Sequence, residues 1–162
     1  MDYNSYDNNI NLINIITKDY CKLRTSSILD NNGKLFGKDF MMDSNPDTCW
    51  CSGQGKSQSI IIELRNPVIL NIKSIEITGQ GGFIPKSIDI SYYKEDININ
   101  KKADKIELTS ISLIDNSENQ KFSINHNPIK DKVYALILNM NKFTDFFGRV
   151  SLYSLKIFCE LS

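Results

Sequence analysis

A series of short segments with strand-like patterning is the feature that most constrains the fold of this chain. Apolar and polar residues alternate with a period of two in most of them, as expected of strands that bury one face. Turn-forming Gly, Pro and Asn residues separate neighbouring segments, which recur at intervals of roughly 10 to 17 residues. The predicted strands are residues 59–64, 72–78, 87–93, 105–111, 121–124, 133–140 and 151–159.

Two of these segments depart from simple alternation. Residues 59–64 are rich in β-branched side chains, and we expect the strand to stop at Asn66 and Pro67. Residues 133–140 are apolar on both faces, which predicts a central strand. Since no segment has a helical period of useful length, the sequence predicts an all-β fold, an antiparallel sandwich or barrel.

Composition limits the class of protein and its partners. A chain of 162 residues suits one domain. We divide it into an N-terminal extension (residues 1–20), with one short ordered apolar piece, and a β-domain (residues 21–162). The 19 basic and 19 acidic residues balance, and few of the basic ones are arginine, so we expect no nucleic-acid partner.

The same sequence carries no apolar run of the ~18 residues that a membrane span needs, so we expect no span. The N-terminus lacks the basic and apolar regions of a secretory signal. We therefore expect an intracellular protein, cytoplasmic or nuclear, and a monomer.

The cysteines and the single histidine bear on redox state and catalysis. Cys21 and Cys159 could form a bridge, but without an export signal reduced thiols are favoured. Cys49 and Cys51 have no second ligand pair nearby, so zinc is not expected. His126 lies in a polar segment with no nucleophile motif and is predicted to be a solvated loop residue, so we expect no enzyme.

Residues 43–50, "DSNPDTCW", combine a polar turn with the only tryptophan. Asp43 and Thr48 offer oxygen ligands of the kind that calcium prefers, and Asn45-Pro46 favours an extended turn that can point carbonyls inward. The alternative is an Asx turn without an ion, and the spacing alone favours that alternative.

Several short motifs, in order, resemble the discoidin, or coagulation factor 5/8 type C, superfamily of galactose-binding-like domains. A narrower resemblance is to the small intracellular discoidin-like proteins that associate with and repress the testicular orphan nuclear receptor. Residues 95–119 do not match closely, and the first 20 residues are additional. The matching motifs are "SSIL" (26–29), "FGK" (36–38), "DTCW" (47–50), "QGKSQ" (54–58), "QGGF" (80–83) and "TDFFGRV" (144–150).

The resemblance implies a jelly-roll β-sandwich with a structural calcium ion. In many such domains the ion lies where a loop meets the C-terminal strand. Trp50 would then be a buried anchor below the loop. The implied ligands, several of them through backbone carbonyls, are Phe40, Asp43, Asn45, Thr48, Cys159 and Glu160.

The resemblance also implies a non-enzymatic binding module whose partner is a protein. Loops 31–37, 79–85 and 141–149 resemble the ligand-binding end of the superfamily. Their phenylalanines could instead fold inward as core. The alternative function is lectin-like binding of a galactoside, using Gln80, Phe83 and Arg149. The predicted partner-binding residues are Phe36, Gln80, Phe83, Phe146, Phe147 and Arg149.

Overall fold

The computed structural model describes residues 11–162, which form short strands and a few helical turns. The helical turns are α1 (Gly33–Phe36) and two 3-10 turns (Leu29–Asn31 and Lys38–Met41). The strands are β1 (Ile13–Asn14), β2 (Cys21–Thr25), β3 (Trp50–Cys51), β4 (Gln58–Val68), β5 (Leu70–Gly79), β6 (Ser87–Tyr93), β7 (Ile106–Ser112), β8 (Asn119–Ser123), β9 (Val133–Met140) and β10 (Ser151–Leu161).

The strands form two sheets in which every pairing is antiparallel. Sheet A has the order β1-β10-β5-β8, with β3 also paired to β10, and sheet B has the order β2-β4-β9-β6-β7. Because β5 pairs along most of one side of β10, the short strands β1 and β3 share the other side. The architecture is a jelly-roll β-sandwich, which confirms the predicted fold class.

Alternation of side chains explains how the two sheets enclose one core. Along β5, Ile72, Ile75 and Ile77 are buried while Lys73 is exposed. Strand β9 lies between β4 and β6 and buries side chains on both of its faces. This confirms the prediction of a central strand.

The chain enters the sandwich before residue 21. Ile13 and Asn14 pair with Cys159 and Phe158 of β10. Ile15 and Ile16 are 1% and 2% exposed and belong to the core. Residues 13–16, which we assigned to the extension, therefore pack as part of the sandwich, whereas residues 1–10 lie outside the described part.

The predicted stop at Asn66 and Pro67 is wrong. Strand β4 continues to Val68, but its pairing with β9 is interrupted between Glu63 and Val68. Proline has no N–H to donate to a sheet ladder, and the interruption accommodates it.

His126 lies in a loop, as predicted, but it is half-buried and bonded to backbone atoms rather than fully solvated. Its Nε2 accepts a hydrogen bond from the Ile72 N–H at 3.0 Å, and its Nδ1 lies 2.7 Å from the Asn127 carbonyl oxygen. The ring therefore joins the 124–129 segment to β5.

None of the helices in residues 11–162 has both the length and the apolar character needed to cross a membrane.

Candidate functional site

Trp50 anchors one loop of the site to sheet A. Its side chain is fully buried, and its Nε1 donates a hydrogen bond to the Ser27 carbonyl at 3.0 Å. Trp50 also pairs with Leu152 through β3. The tryptophan is therefore a core residue that fixes the loop beginning at Ser26.

A buried amide, Gln58, joins three loops at the same end of the sandwich. Its Oε1 accepts hydrogen bonds from the hydroxyls of Ser26 (2.6 Å) and Ser27 (2.8 Å). Its Nε2 donates to the carbonyl oxygens of Gly53 (2.8 Å) and Gly148 (3.2 Å). These four bonds use both lone pairs and both protons of the amide. Gln58 is not among the site residues predicted from the sequence.

The loops 79–85 and 141–149 lie side by side. The N–H of Ile84 donates to Thr144 Oγ1, and the N–H of Thr144 donates to the Ile84 carbonyl, both at 3.0 Å. Pro85 and Phe143 form an isolated bridge. Residues distant in sequence are thereby brought to one surface.

That surface carries an aromatic cluster around one arginine, which we call the loop patch: Phe83, Asp145, Phe146, Phe147 and Arg149. Phe146 is 94% exposed and Phe147 is 51% exposed, and their rings meet edge to face at 5.3 Å between centroids. Phe83 is half-buried. The Arg149 guanidinium lies 5.2 Å from the centroid of Phe83 and 5.5 Å from that of Phe147. Both distances suit cation–π contact.

Asp145 holds Arg149 in this position. Its two carboxylate oxygens accept from Arg149 Nε (3.0 Å) and Nη2 (3.1 Å) in a bidentate pair. Asp145 Oδ2 also accepts from the backbone N–H groups of Phe147 and Arg149. These bonds, above all those from the Arg149 side chain, hold the pKa of Asp145 below its ordinary value and raise that of Arg149. Asp145 is not among the residues predicted from the sequence, although its spacing of four residues from Arg149 is a signal of such a pair.

Of the predicted partner-binding residues, the structure brings together Phe83, Phe146, Phe147 and Arg149. Gln80 is half-buried beside them and its N–H donates to the Ser151 carbonyl. Phe36 is also half-buried and ends α1 on a separate loop.

In the loop part of the predicted calcium site, oxygen atoms of Asp43, Asn45 and Thr48 lie close together. Thr48 Oγ1 donates to Asp43 Oδ2 at 2.5 Å and lies 3.3 Å from the Asn45 carbonyl. Asp43 Oδ1 accepts from the N–H of Asn45, which is an Asx turn. Phe40 lies in the preceding 3-10 turn and is half-buried.

The C-terminal half of the predicted calcium site lies elsewhere. Cys159 is fully buried, and Glu160 contacts Lys73 (3.6 Å) and Asn71 (3.5 Å) on sheet A. Ser154 and Lys156 instead line a cavity of about 530 Å³ together with residues 44–46.

Glu160 follows Ser154 by six positions on β10, which is roughly 20 Å along a strand. The structure therefore does not bring Glu160 to the loop. Residues 11–162 contain no cluster of three His, Cys, Asp or Glu side chains in a metal-binding arrangement.

Comparison with known proteins identifies the relatives of the chain. No protein-family model matches it. A nuclear receptor 2C2-associated protein from Danio rerio is 36% identical over 137 residues, which cover 85% of this chain and 89% of the relative. The Homo sapiens protein of the same name is 32% identical over 137 residues, covering 85% and 90%. The chain belongs to the nuclear receptor 2C2-associated protein family.

Solved structures show the fold of this family member. An F5/8 type C domain from Bacteroides fragilis matches with a TM-score of 0.70 at 14% identity, covering 91% of this chain and 96% of that domain. A family 32 carbohydrate-binding module from C. perfringens, in complex with galactose, matches with a TM-score of 0.65 at 15% identity, covering 91% and 99%. The fold of this nuclear receptor 2C2-associated protein is therefore the galactose-binding-like sandwich of F5/8 type C domains.

Proposed function

We propose that this chain is a non-enzymatic protein-interaction module that works inside the cell, in the cytoplasm or nucleus, and binds its partner through the loop patch. The names of the relatives describe association with a nuclear receptor, and by analogy the partner is a nuclear receptor or a protein with a similar surface. The observation that carries the proposal is the exposure of Phe146 beside Phe147. Aromatic and arginine side chains dominate the binding energy of protein interfaces.

The charge distribution of the patch indicates what it can bind. The bidentate pair with Asp145 balances the charge of Arg149. The guanidinium therefore serves as a flat, fixed surface in contact with Phe83 and Phe147 rather than as a free cation. A partner segment with apolar or aromatic side chains fits this surface better than an acidic one.

The same geometry weighs against a galactoside as ligand. A lectin-like site needs an open aromatic face and free polar groups to grip sugar hydroxyls. Arg149 already lies over Phe83 and spends its Nε and Nη2 donors on Asp145. Two of the three residues assigned to lectin-like binding, Phe83 and Arg149, are thus already engaged in contacts within the protein.

A binding experiment tests the proposal. Purified zebrafish nuclear receptor 2C2 is titrated into the wild-type chain and into Phe146→Ala, and a glycan array is run in parallel. Ile99→Ala is the matched control, because Ile99 is also exposed, at 84%, but lies outside the patch. We expect Phe146→Ala to weaken binding about thirtyfold, the loss of ~2 kcal/mol typical of a hot spot.

The results separate the two functions. Binding that Ile99→Ala retains and Phe146→Ala loses, with unchanged melting of both variants, supports the patch. Equal binding by all three proteins contradicts it. Specific retention of a galactoside on the array, with no receptor binding, favours the lectin-like function.

We further propose a structural calcium ion at the turn 43–48. Asp43, the Asn45 carbonyl and Thr48 already converge, and the Phe40 carbonyl precedes them. These residues fit part of the coordination sphere of six to eight oxygens that calcium takes. With Glu160 distant, Ser154 of the adjoining cavity is the best placed further oxygen, while Lys156 in the same cavity lowers the affinity. A bound ion would fix the turn.

A further inference from the structure

Two cysteines flank Trp50 and lie against each other on the opposite side from its ring. Trp50 is buried in the core, and because side chains alternate along an extended chain, Cys49 and Cys51 share the other face, where Cys49 is half-buried and Cys51 is 9% exposed. Their Sγ atoms are 3.3 Å apart. The Ser151 hydroxyl donates to Cys51 Sγ, also at 3.3 Å.

The other two thiols are isolated. Cys21 is 1% exposed and Cys159 is fully buried in the core. Buried thiols of this kind are inert, whereas Cys49 is partly accessible.

We propose that Cys49 and Cys51 form an oxidisable dithiol that small-molecule disulfides, such as oxidised glutathione, convert into an intrachain disulfide. The Cys49 thiolate attacks one sulfur of the oxidised glutathione, which forms a mixed disulfide and releases one glutathione thiolate. Cys51 then attacks Cys49 Sγ and releases the second glutathione. Two protein thiols are oxidised, one glutathione disulfide is reduced to two thiols, and the two protons go to the released glutathiones.

The local backbone permits the bond and makes it easy to reduce again. Residues two apart in an extended strand have Cα atoms roughly 6.6 Å apart, at the upper end of the range that a disulfide spans. Strand β3 has only two residues and pairs with β10 alone, so little pairing resists a small adjustment. A disulfide at this limit is strained, and strained disulfides are the labile ones.

The rate is limited by ionisation of Cys49. Burial and the contact with Cys51 raise the pKa of Cys49 to about 12. Exchange at neutral pH is therefore slower than for an ordinary thiol, and mildly alkaline conditions favour it.

Intact-mass measurement after exposure to oxidised glutathione tests the proposal. The folded wild-type chain is incubated with an excess of the reagent at mildly alkaline pH, and its remaining thiols are blocked with N-ethylmaleimide under denaturing conditions. We expect a loss of two reactive thiols, a mass lower by two hydrogens before blocking, and a peptide in which Cys49 is linked to Cys51. Reduced glutathione should reverse the change.

Single variants show the order of the steps. Cys51→Ser should retain one glutathione on Cys49, because the resolving thiol is gone. Ser151→Ala keeps both thiols and should still form the disulfide. The proposal is overturned if the wild type keeps four thiols while a urea-unfolded sample reacts fully, or if a stable glutathione adduct accumulates on wild-type Cys49. Because the decisive measurement is made on the wild type, a folding defect in a variant does not affect it.

Discussion

Arg149 is held by three neighbours in the loop patch. Asp145 accepts hydrogen bonds from its Nε and Nη2, and the guanidinium also contacts the rings of Phe83 and Phe147. An isolated surface ion pair contributes little to stability. A bidentate pair combined with ring contacts instead determines orientation, which is what a binding surface requires.

Acidification should release Arg149 only below the ordinary titration range of aspartate. Because the pKa of Asp145 is lowered in the folded chain, the ion pair is present above the unfolded value of ~3.9 and is lost as pH falls through the folded value. NMR titration of the Asp145 carboxyl should give a midpoint below ~3.9, with matching shifts of the Phe147 ring signals. Asp145→Asn should remove those ring shifts, and a midpoint at or above the ordinary value would contradict the pairing.

Replacement by alanine should lower the free energy of unfolding by different amounts at Gly148 and at Gly82. Both have positive φ, 73° and 88°, so alanine at either position costs roughly 1–2 kcal/mol of backbone strain. A Cβ on Gly148 would also lie 1.8 Å from the Gly55 carbonyl oxygen, whereas one on Gly82 meets nothing within 4 Å. Urea unfolding should show Gly148→Ala to be clearly more destabilising than Gly82→Ala. Equal losses would show that the 53–57 and 145–149 loops are not in contact.

At the scale of elements, short strands depend on long ones. Strands β1 and β3 have two residues each and pair with the same side of β10. Neither could be stable alone. Their contribution comes from the core side chains in or next to them, Trp50 in β3 and Ile15 and Ile16 after β1, and from the loops that they hold.

Truncation of Ile15 should show that the N-terminal segment is part of the domain. Ile15 is 1% exposed, so Ile15→Ala should cost about 2–5 kcal/mol of unfolding free energy. The nearby Leu12→Ala, at a residue 44% exposed, should change it by less than ~0.5 kcal/mol. Urea denaturation measures both, and similar small effects would mean that the segment is only loosely attached.

Replacement of Gln58 should loosen the loop end while the sheets remain. Gln58→Ala leaves the buried Gly148 carbonyl and the half-buried Ser27 hydroxyl without this partner, and a buried unpaired group costs about 1–3 kcal/mol. We expect a loss of at least ~2 kcal/mol and faster amide exchange in loop 145–149, with unchanged far-UV circular dichroism. The exposed Gln54→Ala is the control, and equal behaviour of the two variants would refute the role of Gln58.

At the scale of the molecule, two packed sheets supply a rigid body and the loops at one end supply the surface. The carbohydrate-binding and F5/8 type C neighbours share this body at low sequence identity. Such a division lets loop sequences change without loss of the fold. We therefore expect the functional difference between this chain and its structural neighbours to lie in loops such as 79–85 and 141–149.

Calcium removal tests whether the whole domain is stabilised by an ion at the turn 43–48. An ion that binds only the folded state adds ~2.7 kcal/mol at a hundredfold excess over Kd. For a domain of this size, chelation should then lower the melting temperature by roughly 5–10 °C. Asp43→Asn should abolish the difference, whereas Glu160→Gln should preserve it because Glu160 lies on sheet A beside Lys73. Identical melting temperatures with and without chelator would contradict the calcium proposal.

The sequence pattern by itself determined most strands and the all-β class, and the family resemblance added the sandwich and the core position of Trp50. Alternation is a local property, and a strand that buries one face shows it in consecutive residues. Strand β2 had a weak form of the signal, in which buried Cys21 and Leu23 flank exposed Lys22, but it was too short to stand out.

Tertiary structure alone decided how the candidate site is assembled. The bond between Gln58 and Gly148 spans 90 residues, and the β1 pairing with β10 spans the chain, so neither leaves a local pattern. The resemblance implied Glu160 as a calcium ligand, but the strand register places it beside Asn71. The chain sets which side chains are available. Only the register of long-range pairing sets which of them meet, because each added residue along a strand moves a side chain by ~3.3 Å and to the opposite face.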